Sequence, residues 1–580
     1  MPADVRDVLD ARLKFLLYWV FATLGVLLIG LYFFQIEHSD RYVRLAYGNR
    51  LRIIRFAPPP RGDIYDRNGA PLAVNETTFS IMGYPMDLNK PDMLPRVEKV
   101  LAEHGIPLSV SDMEKTIRRQ TIAPYRVIRL VHNLTMAQMA EIFADPAFPA
   151  QLFPLPVWRR IYPSGAIASN ITGYVGEISE SELKSAPGGE YMGGDIIGKG
   201  GIERLYEEQL RGVAGEESIE VDARGRKVRD LDTRGSERGE SIRLTIDLGA
   251  QKRAAELMAG YKGAVVAMNV KTGAVLVLVS SPTYDNNPLA WGMSAREWRA
   301  ITSDANKPML DRAISGVYPP ASTFKAIVAL AALEEDAITP STVYHCPGYL
   351  ELPTRTFRCW NRAGHGYVNL TSALQNSCDV YFYQVGMKLG IERLLKWVRK
   401  FGLGEPTGID LPAEAGGVIA GPEWKRERFH ENWYRGDTIN YSIGQGFLLL
   451  TPLQLARAYA ALANGGWLVT PHVSDLGFRE PVSLGVAPEK LSAVQRGLNY
   501  VVSRGTGSRA GGFGVAVAGK TGTAQNAHGV DHALFAGYAP ASAPQYAAVA
   551  MVEAGEHGSS VASPIVGEIL AYLLSHPVDE

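Results

Sequence analysis

Cysteine is almost missing from this chain: three residues in 580, and all of them, Cys346, Cys359 and Cys378, fall in one short stretch. One possible bridge excludes a disulfide framework as the thing that holds so long a chain together. Net charge is missing too. Lys+Arg 59 against Asp+Glu 60 leaves −1, which excludes a global electrostatic case for nucleic-acid binding. Local basic clusters exist, but none comes with a reading motif. No repeat at a solenoid period is present. Long apolar runs are missing with one exception. After Lys14 the chain reads FLLYWVFATLGVLLIGLYFFQI, residues 15–36, without a charge.

That run would extend about 33 Å as a helix, enough to cross a bilayer core. It is too long for a signal-peptide apolar region, and no small-x-small cleavage site follows. A buried core helix rarely runs so far without a charge. We read residues 15–36 as a single transmembrane anchor. Its orientation is not set by charge: Arg6, Arg12 and Lys14 precede it, and Arg41, Arg44, Arg50, Arg52 and Arg55 follow. Long domains translocate largely regardless of such residues.

The rest of the chain is too long for one core. PPPRGDIYDRNGAPLA (58–73) has hairpin turn chemistry at DRNG. MLPRVEKVLAEHG and TMAQMAEIFAD have helical spacing, and so does GIERLYEEQLRG. DARGRKVRDLDTRGSERGE (222–240) is charged and Gly-dotted with no apolar period, and reads as a boundary. Beyond it GAVVAMNVKTGAVLVLVSS predicts a β-hairpin, and AVAGKTGTAQ, HALFAGYAP and QYAAVAMVEA predict three more strands. PIVGEILAYLLSH predicts a final helix. Strands at both ends of a helical centre predict one α/β domain over 241–580, whose sheet joins distant parts of the chain.

The sharpest chemical signal is VYPPASTFKAIVALAAL. Ser322 and Lys325 stand one turn apart at the start of an unbroken helical run, where free N–H groups and partial positive charge gather. Apolar neighbours would desolvate the lysine and lower its pKa, which suits a base beside a nucleophile. A second S-x-x-K, Ser181 and Lys184, is hydrophilic and reads as a surface loop. K-T-G also occurs twice. Lys271 sits in the turn of the predicted hairpin, whereas Lys520, Thr521 and Gly522 end an apolar run. Between the two selected motifs, SALQNSCDVYFYQ offers Ser377 and Asp379 in a loop between helical runs.

These three motifs, in this order and spacing, resemble the penicillin-binding protein and serine β-lactamase superfamily. RGDIYDRNG (61–69), RRIYPSG (159–165) and GKGGIERLYEEQLRG (198–212) look like the non-catalytic domain of class B penicillin-binding proteins, and SIGQG (442–446) looks like part of their transpeptidase domain. With one anchor and no glycosyltransferase domain, the likeness is to the elongation-specific branch. Asp379 stands where most relatives have Asn, a departure that branch tolerates.

The resemblance implies a multi-domain chain. Residues 1–14 would be cytoplasmic, 15–36 transmembrane, and 37–240 an α+β pedestal or dimerisation domain. The transpeptidase domain over 241–580 would have an antiparallel sheet and a helical subdomain. It also implies roles. Ser322 would attack the penultimate D-Ala of a stem pentapeptide ending in D-Ala-D-Ala, with Lys325 as base and Ser377 as proton relay. The N–H groups of Ser322 and Thr523 would form the oxyanion hole, and Lys520, Thr521 and Thr523, on the strand that includes Gly522, would hold the substrate carboxylate. β-Lactams would inhibit. Cross-linking without ATP places the bulk of the chain outside the cytoplasm, in the periplasm, anchored in the inner membrane. Expected partners are a multi-span glycan polymerase of the SEDS type, docked on residues 37–90, and other elongation-complex membrane proteins; nucleic acid is not expected. A D,D-carboxypeptidase, a β-lactamase, a β-lactam sensor and a non-catalytic scaffold are the rival readings. The first two would use the same residues with water as acceptor.

The cysteines recur as Cys346-x12-Cys359-x5-His365-x12-Cys378. Three thiolates and one imidazole make a closed tetrahedral shell for structural Zn²⁺. One disulfide plus a buried thiol is the alternative an oxidising compartment favours. The odd thiol count and His365 weigh toward zinc, one per chain. Cys378 is the middle residue of Ser377-Cys378-Asp379, so a metal there would pin the catalytic loop.

Overall fold

The computed structural model describes residues 3–42, 51–57, 59–121, 127–186, 191–221, 227–353, 355–526 and 529–577. The N-terminal helix Ala3–Tyr32 ends in a wider π-helical turn, Phe33–Glu37. None of its apolar window is buried. Apolar side chains such as Phe15, Trp19, Leu27 and Ile36 all face outward, which a core helix would not do. Arg44 and Arg50 lie outside the described residues.

Two compact units follow from the packing. The first comprises residues 1–60, 77–158 and 213–237. Helices Met93–Glu103 and Val110–Gln120 put Val97, Leu101, Met113 and Ile117 into a core with Ile81 and Ile128. Ser109 caps the second helix by accepting from Asp112 N–H, and Thr135 and Gln138 form a reciprocal capping box on Met136–Ala144. A three-stranded antiparallel sheet joins Leu51–Ala57, Gly215–Val221 and Lys227–Arg234. The stretch we read as an irregular boundary therefore contains a strand over 227–234. KVRDLDTR carries a charge at nearly every second position and shows no apolar face to betray it. Residues 222–226 of that stretch lie outside the described residues.

The second unit comprises residues 61–76, 159–212 and 238–580, so it gathers chain from both sides of residue 240. RGDIYDRNG, RRIYPSG and GKGGIERLYEE converge on one fully buried carboxylate, Glu203. Arg160 Nε donates to it at 2.6 Å, Arg61 Nε donates to its other oxygen, and Arg61 Nη2 reaches Glu207 at 2.6 Å. Burial alone would raise the Glu203 carboxyl, but Arg160 and Arg61 outweigh it and hold it below the usual range. The GIERLYEEQL helix is broken rather than continuous, into Gly201–Leu205 and Glu207–Leu210. At the break the Tyr206 hydroxyl lies 3.0 Å from Asp410 Oδ2 and 2.6 Å from Ser474 Oγ.

The remainder of this unit is built on a five-stranded antiparallel sheet. We label its strands β1 (Lys262–Asn269), β2 (Val275–Ser281), β3 (Ala518–Ala524), β4 (His532–Ala539) and β5 (Tyr546–Glu553). The order across the sheet is β2-β1-β5-β4-β3. Helices Leu248–Leu257 and Ala562–Ser575 cover one face through Ala250, Ala254, Ile565 and Ile569. The helical centre covers the other. Strands buried on both faces need continuous apolar runs, and that is how β1, β2 and β5 read. Within the centre we label α1 (Lys325–Glu334), α2 (Leu370–Gln375) and α3 (Asp379–Leu389).

Candidate active site

Pro319 and Pro320 stop the chain, and Ala321 adopts a left-handed φ of 48°, held by its N–H to Gly444 O at 2.9 Å. A 3-10 turn over Ala321–Phe324 then leads into α1. Ser322 is thus on a tight turn before the helix proper, and it is partly open to solvent while Lys325 is fully buried. The Tyr459 hydroxyl fixes the turn by donating to Thr323 O at 2.8 Å.

Lys325 reaches the predicted loop. Its Nζ donates to Ser377 O at 3.0 Å, to Ser377 Oγ at 3.2 Å and to Asp379 Oδ1 at 2.6 Å. All three ammonium hydrogens are committed. Ser377 holds the loop between α2 and α3 with a left-handed φ of 53°, a strained value for a side-chain-bearing residue. The second Asp379 oxygen accepts the Trp360 backbone N–H at 2.8 Å.

The facing wall is β3, the edge strand of the sheet. Lys520 is fully buried with Nζ 3.2 Å from Thr521 O, and Thr521 Oγ1 lies 2.8 Å from Thr506 Oγ1. Burial drives the Lys520 ammonium well below its usual range; the charge of Lys325 adds to this and Asp379 opposes it. Those influences place both lysines and Asp379 in one electrostatic site. Gln445 of SIGQG donates through Nε2 to Thr523 O at 3.2 Å. Gly522 packs against the Ser322 turn, and Gly558 lies so close beneath it that a Cβ there would sit 2.4 Å from Gly522 O and 2.2 Å from Leu534 O.

The rival copies lie elsewhere. Lys271 is exposed in the β1–β2 turn. Ser181 and Lys184 occupy an exposed short helix, Glu180–Ser185, not the loop we expected; a Ser179/Glu182 capping box suffices to nucleate it.

Cys346, Cys359, His365 and Cys378 do converge. Their ligand atoms all lie within 4.8 Å of one another. His365 Nδ1 is 3.6 Å from both Cys346 and Cys359 Sγ. The three thiols are buried and free. The Cys378 thiol hydrogen-bonds Cys359 and pushes it down to about 5, while the same bond pushes Cys378 up; burial pushes Cys346 up. Three sulfurs and an imidazole nitrogen at this separation are a soft donor set matched to a tetrahedral cation. Trp360, Gln445 and Gly558 were not foreseen as site residues.

The penicillin binding protein transpeptidase domain family matches residues 263–571, and the penicillin-binding protein dimerisation domain family matches residues 56–244. The chain belongs to the penicillin-binding proteins that pair these two domains. Within them, it is 37% identical to the peptidoglycan D,D-transpeptidase MrdA of Haemophilus influenzae, over 95% of this chain and 89% of that protein. It is 36% identical to the MrdA of Escherichia coli K12, over 95% and 91%. Among solved structures it resembles the complex between PBP2 and MreC from Helicobacter pylori, with a TM-score of 0.82 and 32% identity over 91% of this chain and 99% of that one.

Proposed function

We propose that the protein cross-links peptidoglycan stem peptides during cell elongation, as a D,D-transpeptidase working through a serine acyl-enzyme. The observation that carries this is the meeting of Lys325, Ser377, Asp379 and Lys520, from three separate stretches of chain, in one buried electrostatic site beside the Ser322 turn that packs on Gly522. Ser322 Oγ attacks the carbonyl of the penultimate D-Ala. In its neutral form, with one of its three acceptors left without a donor, Lys325 one turn away takes the Ser322 hydroxyl proton, and Ser377 passes a proton to the departing amine of the last D-Ala. The N–H groups of Ser322 and Thr523 face the developing oxyanion. Lys520, Thr521 and Thr523, on an edge strand with Gly522, hold the terminal carboxylate. An amine from a second stem peptide then displaces Ser322, and β-lactams stop the cycle at the acyl-enzyme.

Intact-protein mass spectrometry with a labelled penicillin tests the reading. One adduct per chain is expected, lost in Ser322→Ala with the fold unchanged. Labelling that persists, or moves to Ser181, would sink it.

We further infer that Cys346, Cys359, His365 and Cys378 hold one structural Zn²⁺, which supplies charge for the thiolates and a fixed tetrahedral node. Cys378 lies beside Asp379 in sequence, and Cys359 beside Trp360, whose N–H binds Asp379. Both links run from the cluster to the same carboxylate. Purified protein should carry about one zinc per chain and release three free thiols on denaturation with chelator. One thiol and no stoichiometric metal would end the idea.

The exposed apolar helix supports a single-pass membrane anchor; that the membrane is the inner one, with the bulk of the chain periplasmic, is our reading. The relative solved with MreC supports elongation-complex partners, among which a SEDS-type polymerase docked on residues 37–90 is our reading. Met86→Glu with Lys90→Glu, both at exposed positions, should weaken that complex and leave penicillin acylation in place; undiminished co-purification would refute docking on that face.

A further inference from the structure

Between Glu351 and Asp379 the sequence holds no acidic residue, yet it carries Arg355, Arg358 and Arg362. All three are exposed. No ion pair engages them among the described residues, in contrast to Arg61, Arg160 and Arg312. Arg355 leans over the Phe357 ring at 5.2 Å. That leaves Arg358 and Arg362 as the two guanidiniums presented to solvent from this segment.

Between them stands Trp360, 58% exposed. It is not a loose surface side chain. Its backbone N–H is bound to Asp379, its indole N–H donates to Asn376 O at 3.0 Å, and its ring meets His365 at 5.5 Å between centroids. An indole fixed at both ends with most of its surface in water is a preformed platform. Arg358, the last residue of the strand Arg355–Arg358, precedes it by two residues, and both are exposed on either side of the buried Cys359. Arg362 lies near enough to the Tyr383 phenol to act on it, and that phenol donates to Arg358 O at 3.1 Å.

This surface adjoins the reacting groups. One Asp379 oxygen contacts Lys325 and the other contacts Trp360. The donor's terminal carboxylate is assigned to the β3 wall, and the exposed Trp360, Arg358 and Arg362 lie outside that assignment, on the side of the buried 377–379 loop. We propose that Trp360, Arg358 and Arg362 form the subsite for the acceptor stem peptide, the indole carrying its chain and the guanidiniums its free carboxylates. The assignment rests on the transpeptidase reading above. In the step it serves, the acceptor nitrogen bonds to the acyl carbonyl carbon, the ester bond to Ser322 Oγ breaks, and the proton lost by the amine ends on Ser322 Oγ. Charge complementarity favours this occupant: a basic, acid-free surface meets a peptide bearing carboxylates.

The test uses the full chain in detergent, a stem pentapeptide donor, and a stem peptide with a free side-chain amine as acceptor. Mass spectrometry reads the ratio of cross-linked product to hydrolysed donor. Arg358→Glu combined with Arg362→Glu should lower that ratio about tenfold or more, and Trp360→Ala should lower it several-fold. Penicillin acylation by the double arginine variant should stay within about twofold of wild type, because neither guanidinium contacts the reacting groups. An acceptor with amidated carboxylates should be poor with wild type and no poorer with the double variant, a comparison that loss of folding cannot mimic. An unchanged ratio would overturn the proposal. So would a parallel fall in acylation, which would place these residues on the donor side. Absence of penicillin acylation in wild type would instead sink the transpeptidase reading itself.

Discussion

Asp379→Asn is the substitution whose outcome the geometry fixes most closely. The Asp379 carboxylate accepts from Lys325 Nζ at 2.6 Å through one oxygen and from the Trp360 N–H at 2.8 Å through the other. Both partners are donors. Asn offers a single acceptor, so its NH₂ must face either an ammonium or an amide N–H. One charge-assisted hydrogen bond is lost, worth about 1.5–3 kcal/mol. Lys325, fully buried, also loses its counter-charge. Removing one partner of a buried pair costs about 3–5 kcal/mol, less here because Ser377 O, Ser377 Oγ and the Asn oxygen still accept. A net loss of about 2–4 kcal/mol follows. Expressed wholly on the acylation barrier, that is roughly 30- to 900-fold. Expressed in stability instead, it appears as a lower Tm. Rate constants for fluorescent-penicillin acylation and scanning calorimetry together capture both. A variant that acylates within about threefold of wild type and melts unchanged would refute the two-acceptor requirement.

Lys520→Met should raise stability near neutral pH while cutting acylation at least about tenfold, whereas Lys271→Met should change neither. The sign follows from Lys520 lying below its unfolded value of 10.5. The unfolded chain holds the extra proton, so this lysine costs stability at neutral pH, and the cost shrinks as pH rises toward the unfolded value. The wild-type melting temperature should therefore gain on the Met variant as pH rises through the alkaline range; a constant gap would contradict the burial argument. Gly558→Ala should lower acylation and destabilise by about 1–3 kcal/mol, since its Cβ meets backbone oxygens that cannot retreat; wild-type acylation would show that the loop yields. His365→Ala should lower zinc content, Tm and acylation together, and wild-type acylation in a zinc-free variant would mean the cluster does not support the 377–379 loop.

The nucleophile and its lysine were legible because S-x-x-K at a helix start is a phase relation within one turn. Lys520 was separable from Lys271 because burial shows as an apolar run, and Lys520 is indeed buried while Lys271 is in a turn. The cysteine cluster was legible through rarity. What escaped notice shares a different character. Trp360 acts through a backbone N–H that every non-proline residue owns. Gln445 reaches a carbonyl 78 residues away. Gly558 matters for the atoms it lacks. None of these leaves a local period or composition signal. The break at Tyr206 was hidden for the same reason, because its partners Asp410 and Ser474 lie far along the chain.

The strand order β2-β1-β5-β4-β3 also has a temporal meaning. A chain made from its N-terminus produces the β1–β2 hairpin early, but the neighbour that hairpin requires, Tyr546–Glu553, emerges nearly last. Until it docks, β3 has no connection to the rest of the sheet, and Lys325 and Lys520 remain hydrated on separate segments. Withdrawing two lysines from water is among the least favourable acts of folding this domain, and it falls at the final step. A nascent chain stalled between Thr523 and Tyr546 contains every catalytic side chain and lacks the strand that joins the two halves of the sheet. Penicillin capture by this protein therefore reports completed folding, and could be used to time it residue by residue as the chain emerges.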